Sequence, residues 1–319
     1  MERNEIIKAL SSDDFSRYYR EADRIRGETK GDIVNIRAII EITNICGRHC
    51  AYCGINAGNT KVRRYRMPAS QIIDTAAAAV AAGYRTIVIQ GGENPNGDVK
   101  EAGRIVTAIK NITEGIAVTL SLGEMRYEDY DYLRDCGADR YLLKHETSDP
   151  QLYKKLHPDG DLENRIQCLR WLKELGYETG SGFMIGLPGQ TIESIADDLL
   201  LLRQLQCDMA GIGPFISHPD TPLRGCPNGD PELTKRAVAI ARILLPQANL
   251  PVTTSLGVLS PEERKNAFAC GANVIMKKAT PDPYREDYEI YPAETKPVEI
   301  SGDRAAIEKM LAETGRKGV

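Results

Sequence analysis

Val34-Asn-Ile-Arg-Ala-Ile-Ile-Glu-Ile-Thr43, followed at once by Asn44-Ile-Cys-Gly-Arg-His-Cys-Ala-Tyr-Cys-Gly54, is the stretch that organises the rest of the chain. Its first half is strand-like: Ile36, Ile39, Ile40 and Ile42 are β-branched and suit a pleated, buried surface. Its second half sets Cys46, Cys50 and Cys53 in the spacing Cys-x3-Cys-x2-Cys, with the aromatic Tyr52 before the last thiol. Three thiolates on one short loop can hold three corners of a four-iron, four-sulfur cube. The fourth iron is then left without a protein ligand, and an open coordination position is a place for chemistry as well as for storing an electron.

Two plainer readings compete. Cys46, His49, Cys50 and Cys53 have the ligand types of a Cys3His zinc site. Zinc knuckles, however, usually carry two ligand pairs separated by a longer stretch, and His49 is wedged between two cysteines. A disulfide would require an oxidising compartment. The start Met-Glu-Arg-Asn-Glu is charged and no apolar core follows it, so no secretory signal is read and a cytoplasmic, thiol-reducing location is expected. The other five cysteines (Cys136, Cys168, Cys207, Cys226, Cys270) are scattered singly and read mostly as small buried hydrophobes. The spacing of the first three resembles the signature loop of the radical S-adenosylmethionine (SAM) enzymes.

Composition sets outer bounds. The chain has 319 residues, 42% apolar and 27% charged, with a net charge of -4 and only 6% aromatic residues. This is an ordinary globular balance, sufficient for one barrel-sized domain or two medium ones. The mild acidity argues against a nucleic-acid binder driven by bulk charge. No apolar run is long enough to span a bilayer.

Outward from the cysteine loop, strand and helix patterns alternate. Residues 4–28 read as helices, with Ser11-Ser-Asp-Asp14 as a cap. Strand patterns fall at 34–43, 85–90, 116–122, 140–143, 178–185, 208–213, 252–255 and 273–276. Helical patterns fall at 68–82, 99–112, 127–135, 150–156, 162–175, 192–205, 233–245 and 261–269, with a last one near 303–314. Short buried strands separated by helices imply a parallel sheet with right-handed crossovers. Eight such units predict an α/β chain folded as a complete (β/α)8 TIM-type barrel, its site at the C-terminal strand ends. An open doubly wound sheet is the alternative. No domain boundary is visible: we expect a single domain over 1–319, with N-terminal helices (1–33), the barrel (34–279) and a C-terminal extension (280–319).

If the barrel is right, reactive residues follow each strand. After the second strand comes Gln90-Gly-Gly-Glu-Asn94. The resemblance to radical SAM enzymes implies that Gly91, Gly92 and Glu93 meet the methionine amino group of SAM; a plain turn is the other reading. In the third strand Thr119 and Ser121 share a face, since strand side chains alternate. They point inward if Leu120 and Leu122 face the helices. The fourth ends in Lys144-His-Glu-Thr147, where Glu146 suits a ribose diol, because a carboxylate accepts two hydroxyl protons. Arg165, a fork donor, suits the methionine carboxylate. A surface ion pair of Glu146 and Arg165 is the bland alternative. The fifth strand, Gly180-Ser-Gly-Phe-Met-Ile-Gly-Leu-Pro-Gly-Gln190, resembles the adenine-flanking segment of radical SAM barrels and adds Met184, with Tyr52 and Ser121, to the cofactor set. The seventh carries Thr253, Thr254 and Ser255, which bind a ligand or merely the barrel backbone. Arg140 and Lys144, at either end of the fourth strand, are assigned to an anionic substrate. Arg63, Arg64 and Arg66 read as a solvated face, and Tyr284, Tyr288 and Tyr291 lie past the eighth strand.

At a finer level, 46–65, 119–124, 139–147, 186–191, 211–223 and 252–276 resemble the HydE family, the radical SAM maturases of the [FeFe]-hydrogenase H-cluster. Gly211-Ile-Gly-Pro-Phe-Ile-Ser-His-Pro-Asp-Thr-Pro-Leu223 is the most telling run. The resemblance implies reductive cleavage of SAM to methionine and a 5′-deoxyadenosyl radical. It implies a small anionic iron–cysteine complex with carbon monoxide and cyanide as substrate, for the diiron subcluster. It implies other maturation proteins and a ferredoxin- or flavodoxin-like electron donor as partners, with neither nucleic acid nor membrane. Some members carry a second cluster on C-terminal cysteines. Here none follows Cys270, so one [4Fe-4S] cluster is expected, and the absence also counts against a biotin synthase. A methylornithine synthase-like lysine mutase and, in a different class, a non-enzymatic iron–sulfur scaffold or carrier are the alternatives.

Overall fold

The computed structural model describes residues 1–319 apart from 95, 96, 295, 296 and 298. Two helices, α1 (Arg3–Leu10) and α2 (Ser16–Lys30), precede β1 (Ile33–Thr43). The expected cap at 11–14 takes a smaller form: Asp14 accepts the Ser16 amide at 2.9 Å, while Phe15 holds the cap position itself. β1 is buried on nearly every residue, as a strand covered on both faces must be.

From β1 the chain alternates through α3 (Ala69–Ala81), β2 (Thr86–Gly91), α4 (Val99–Lys110), β3 (Ala117–Ser121), α5 (Tyr127–Asp135) and β4 (Arg140–Leu142). Then come α6 (Pro150–Leu156), α7 (Leu162–Glu174), β5 (Glu178–Ser181), β6 (Met184–Ile185), α8 (Ile192–Gln204), β7 (Met209–Ala210) and β8 (Gly213–Pro214). The chain finishes with α9 (Pro231–Leu244), β9 (Pro251–Val252), α10 (Thr254–Leu259), α11 (Pro261–Asn266), a 3₁₀ turn (Ala267–Cys270), β10 (Val274–Lys278), α12 (Ile300–Glu313) and β11 (Lys317–Gly318).

The parallel sheet runs β7-β5-β4-β3-β2-β1-β10-β9, that is, eight strands in chain order once the ring is read from β1. A parallel bridge between Met209 and Asn249, with Ala210 N–H donating to Asn249 O at 3.1 Å, joins β7 to the approach to β9. The expected (β/α)8 barrel is therefore present.

Three details differ from expectation, each for a local reason. The fifth and sixth strands are each broken in two, and β6 pairs with β8 to prolong the wall. The break lies at Gly182, where a Cβ would sit 2.1 Å from Gly211 O, so the backbones approach too closely for a continuous ladder. The stretch read as a seventh strand ends at Val252. Thr253 instead caps α10, its hydroxyl accepting the Leu256 amide. Finally, β11, which the sequence pattern did not signal, adds to β1 at Ile33 and Val34. α1 and α2 pack against α8 and α9 on the barrel's outer layer.

Candidate active site

Alternation along the strands decides what faces inward. Arg37, Ile39 and Glu41 of β1, Val88 and Gln90 of β2, Thr119 and Ser121 of β3, and Val274, Met276 and Lys278 of β10 line one cavity of about 940 Å³. Leu120, between the two hydroxyls, is fully buried in the surrounding core. Above the strand ends the same cavity is lined by Cys46, Cys50, Tyr52, Cys53, Gly91, Gly92, Glu93, Lys144, Glu146, Arg165, Met184, Thr253 and Thr254. The fold thus gathers in one place every residue assigned from sequence except Arg140.

Arg140 is the correction. It begins β4, below the cavity, and is held there by Glu178 at 2.7 Å and the Thr86 hydroxyl at 3.1 Å. The cation at the cavity floor is instead Arg37, which is 5% exposed. One of its amino groups touches only the Met209 sulfur at 3.2 Å, and its Nε has no partner. Burial first, and then the charge of Arg140, push the Arg37 guanidinium down to about 9. A half-buried arginine, Arg264, lines the cavity wall without a carboxylate partner among the described residues.

The cysteine loop has no regular structure, so side chains satisfy its backbone. Arg64 donates to the carbonyls of Asn44, Ile55, Asn56 and Asn59 at 2.6–3.1 Å and is a staple, not part of a solvated face. Asn44 donates to Arg63 O and Asp287 O and accepts the Tyr65 amide. Gly92 donates to Thr43 O at 2.9 Å, and a Cβ there would lie 2.4 Å from Ile45 O. The glycine lets the segment after β2 press against the loop that carries the thiols.

All three thiols are free and half-buried. Burial pushes Cys53 up to about 12, and burial together with the neighbouring thiols pushes Cys50 higher still. Three thiolates side by side in this setting need a cationic centre to be stable, and an iron–sulfur cube provides one. Among the described residues no three His, Cys, Asp or Glu side chains converge tightly enough for a single ion. The corners of a cube stand farther apart than the ligands of one zinc. His49 Nδ1 is turned to Asp159 at 3.1 Å, and the three thiols that remain fit the three protein-held corners of a [4Fe-4S] cluster.

Beside the thiols lies a network of charges. Arg165, 8% exposed, pairs with Glu124 at 2.8 Å and Glu93 at 3.4 Å; Arg48, from the cysteine loop, pairs with the same two carboxylates. Glu93 and Arg165 thus present an acceptor and a donor together, the complement of an amino-acid zwitterion. Tyr52 donates its hydroxyl to His157 Nε2 at 2.9 Å, because His157 Nδ1 faces the Tyr153 carbonyl, which can only accept. Burial, then Arg165, push His157 down to about 4 and keep it neutral. Glu146 is 2.9 Å from Lys144 and has a positive φ of 63°, a strained state for a side-chain-bearing residue. Met184 sits in β6 opposite Gly213. Thr254 begins α10 and bonds Tyr291, while Thr253 and Ser255 hydroxyls lie 3.2 Å apart.

Sequence reasoning missed Arg37, Arg48, Glu124, His157 and Arg264. A signal existed for two of them. Arg37 interrupts an apolar strand at an inward position, and Glu124 closes the run that supplied Thr119 and Ser121.

Comparison with known proteins fits this geometry. The family model described as the radical SAM superfamily matches residues 40–202. The [FeFe] hydrogenase maturase subunit HydE of Thermotoga maritima is 50% identical over 302 residues, 94% of this chain and 86% of that protein. A 3-methylornithine synthase of Methanosarcina acetivorans is 28% identical over 85% of this chain and 76% of its own length. The crystal structure of the methylornithine synthase PylB superposes with a TM-score of 0.88 at 24% identity, covering 100% of this chain and 94% of that one, and supports the barrel. Signature loop, barrel and level of identity together place this chain in the radical SAM superfamily, as a maturase of the HydE type.

Proposed function

We propose that this protein reductively cleaves SAM and directs the resulting radical at a small anionic iron–cysteine complex bearing carbon monoxide and cyanide, a precursor of the diiron subcluster of [FeFe]-hydrogenase. The observation that carries the substrate class is Arg37, a buried cation with no acidic partner at the floor of the cavity. A buried charge without a counterion costs stability and is retained where a ligand completes it. Arg264, half-buried, adds a second cation on the wall without a carboxylate partner among the described residues, and Thr119 Oγ1 is a buried hydroxyl without a partner among them. Of the six carboxylates that line the cavity among the described residues, four have a basic partner: Glu41 with Lys278, Glu93 with Arg48 and Arg165, Glu146 with Lys144, Glu289 with His218. Eight arginines and lysines line the cavity against six carboxylates among the described residues, so net attraction is for an anion, with the hydroxyls of Thr119 and Ser121 placed to donate to cyanide nitrogen or carboxylate oxygen and those of Thr253 and Thr254, now bonded to Ser255 and Tyr291, beside them.

Cys46, Cys50 and Cys53 would hold one [4Fe-4S] cluster, which with SAM supplies a single electron and a 5′-deoxyadenosyl radical at the cavity mouth. The residues around it bind and orient. Glu93 accepts from the methionine ammonium, Arg165 donates to its carboxylate, and Glu146 accepts from the ribose diol. Tyr52, Ser121 and Met184 flank the nucleoside. The remaining free cysteines lie off the cavity, which supports a single cluster. Other maturation proteins would supply the complex and receive the product, and a ferredoxin- or flavodoxin-like protein would reduce the cluster.

The test is anaerobic reconstitution followed by SAM and reductant, with a synthetic iron–cysteine–carbonyl–cyanide complex, lysine, or no addition. Stimulated cleavage with consumption of the complex is expected. Conversion of lysine with indifference to the complex would overturn the proposal.

A further inference from the structure

Behind the cavity wall, beneath the turn that carries Glu146, lies a fully buried polar cluster of His145, Ser181 and Asp198. His145 and Asp198 are both 0% exposed. The Ser181 hydroxyl is 2.9 Å from Leu143 O, a pure acceptor, so its proton is committed there. His145 Nδ1, 2.9 Å from the same hydroxyl oxygen, must therefore donate. His145 Nε2 faces Asp198 Oδ1 at 3.4 Å, an ion-pair distance. No hydrogen bond forms at that distance, so the ring nitrogen is a buried polar atom without a hydrogen-bond partner among the described residues. Asp198 also accepts the Ser148 amide, while its second oxygen has no partner among the described residues.

Such a cluster is a costly way to fasten α8 to the barrel; apolar side chains would do so more cheaply. Its placement gives another purpose. Asp198 accepts the amide of Ser148 and packs 3.4 Å from the ring of His145, the two residues that bracket Glu146 and Thr147. The Thr147 amide donates back to His145 O at 2.8 Å, closing a three-residue turn centred on Glu146 with its φ of 63°. Turns of this hand are rare and strained and persist only where the surroundings over-determine them. Glu146 N–H donating to Gly182 O at 3.0 Å completes the clamp.

We propose that His145, Asp198 and Ser181 are positioning residues that hold the strained turn so that Glu146 presents its carboxylate to the cofactor's ribose. The inference rests on the assignment of Glu146 to the ribose diol. The test uses the full chain with its cluster reconstituted anaerobically. Equilibrium dialysis measures Kd for SAM and for an analogue lacking both ribose hydroxyls, in Asp198→Asn, Ser181→Ala and Glu146→Gln. Both clamp variants should weaken SAM by about tenfold, leave the analogue unchanged and leave the cluster absorbance intact. In a Glu146→Gly background, where the turn needs no clamp, Ser181→Ala should have no further effect on either ligand. A loss that is equal for SAM and the analogue would mean a merely structural role and overturn the inference. Unchanged SAM affinity in the clamp variants, with weakened affinity in Glu146→Gln, would overturn the inference and spare the ribose assignment. A Glu146→Gln protein that still discriminates the two ligands like the parent would remove both. Should Asp198→Asn fail to fold, the milder Ser181→Ala carries the same comparison.

Discussion

Replacing Arg37 by methionine should make the protein more stable and disable its substrate site. The two effects have one cause. Burial, aided by the charge of Arg140, holds the Arg37 guanidinium down at about 9 against an ordinary 12.5. At 1.36 kcal/mol for each tenfold change in protonation, that is on the order of 5 kcal/mol of unfavourable charge burial. The sign follows from the direction. A base whose folded value is depressed burdens the folded state at every pH below that value, and the burden lifts only as pH rises from about 9 toward 12.5. At neutral pH it is therefore fully present. Methionine will not refill the volume perfectly, so a gain of about 1–4 kcal/mol is expected. For a chain of this length that is roughly 2–6 °C in melting temperature.

The substrate side should move the other way. Losing a buried charged contact costs about 2–5 kcal/mol of binding, or at least thirtyfold in affinity, whereas SAM affinity should stay within twofold. Anaerobic thermal unfolding and equilibrium binding of the iron–cysteine complex read both quantities. Arg242 is the control. It is fully buried, but its donors meet Gly271 O, Pro246 O, Ala248 O and Asn273 Oδ1 at 2.8–2.9 Å. Burial lowers Arg242 too, to about 10, a burden on the order of 3 kcal/mol; its four orphaned acceptors, at about 1–3 kcal/mol each, outweigh that relief, so Arg242→Met should destabilise. If Arg37→Met destabilised like its control, Arg37 would be a structural arginine and the argument for an anionic substrate would lose its main support.

Cys50→Ala should leave the chain unable to hold four irons and unable to cleave SAM; full iron stoichiometry by chemical analysis would contradict the ligand assignment. Gly92→Ala places a methyl 2.4 Å from Ile45 O. It should cost about 1–3 kcal/mol and lower cluster occupancy by displacing the cysteine loop, and an unchanged iron content would show that the contact is soft. His157, neutral down to about 4 when folded but titrating near 6.5 when unfolded, binds fewer protons in the native state across that window. Stability should therefore fall as pH drops from 6.5 toward 4, by up to roughly 3 kcal/mol at the acid end. His157→Gln should flatten this limb of a stability–pH profile; an identical slope would mean that other groups produce it.

The order of strands around the barrel was legible because each carries a short β-branched run followed by a helix with its own start and stop signals. The thiol loop was legible because ligand spacing within one loop does not depend on tertiary structure. Height along the barrel axis was not. Arg140 and Lys144 are four residues apart on one inward face, yet Arg140 lies beneath the floor with Glu178 and Thr86 while Lys144 reaches Glu146 at the mouth. Strand tilt sets which residue of one strand is level with which of the next, and that offset has no local sequence signal. The same gap hid Arg37, which stands two residues before Ile39 and four before Glu41 on one face of β1.

Composition also cannot tell one buried arginine from another. Arg242 is saturated by carbonyls, Arg165 is held between Glu93 and Glu124, and Arg37 has a sulfur and an unpartnered Nε. All three are nearly or fully buried. Only the count of acceptors around each guanidinium separates a saturated arginine, one already balanced by carboxylates and proposed for the cofactor, and one left uncompensated and proposed for an anion. That count is a property of strands and helices brought together from distant parts of the chain. Reading which buried cations the fold leaves uncompensated is therefore the step at which structure supports a proposal of substrate class for a chemistry that the cysteine loop had already suggested.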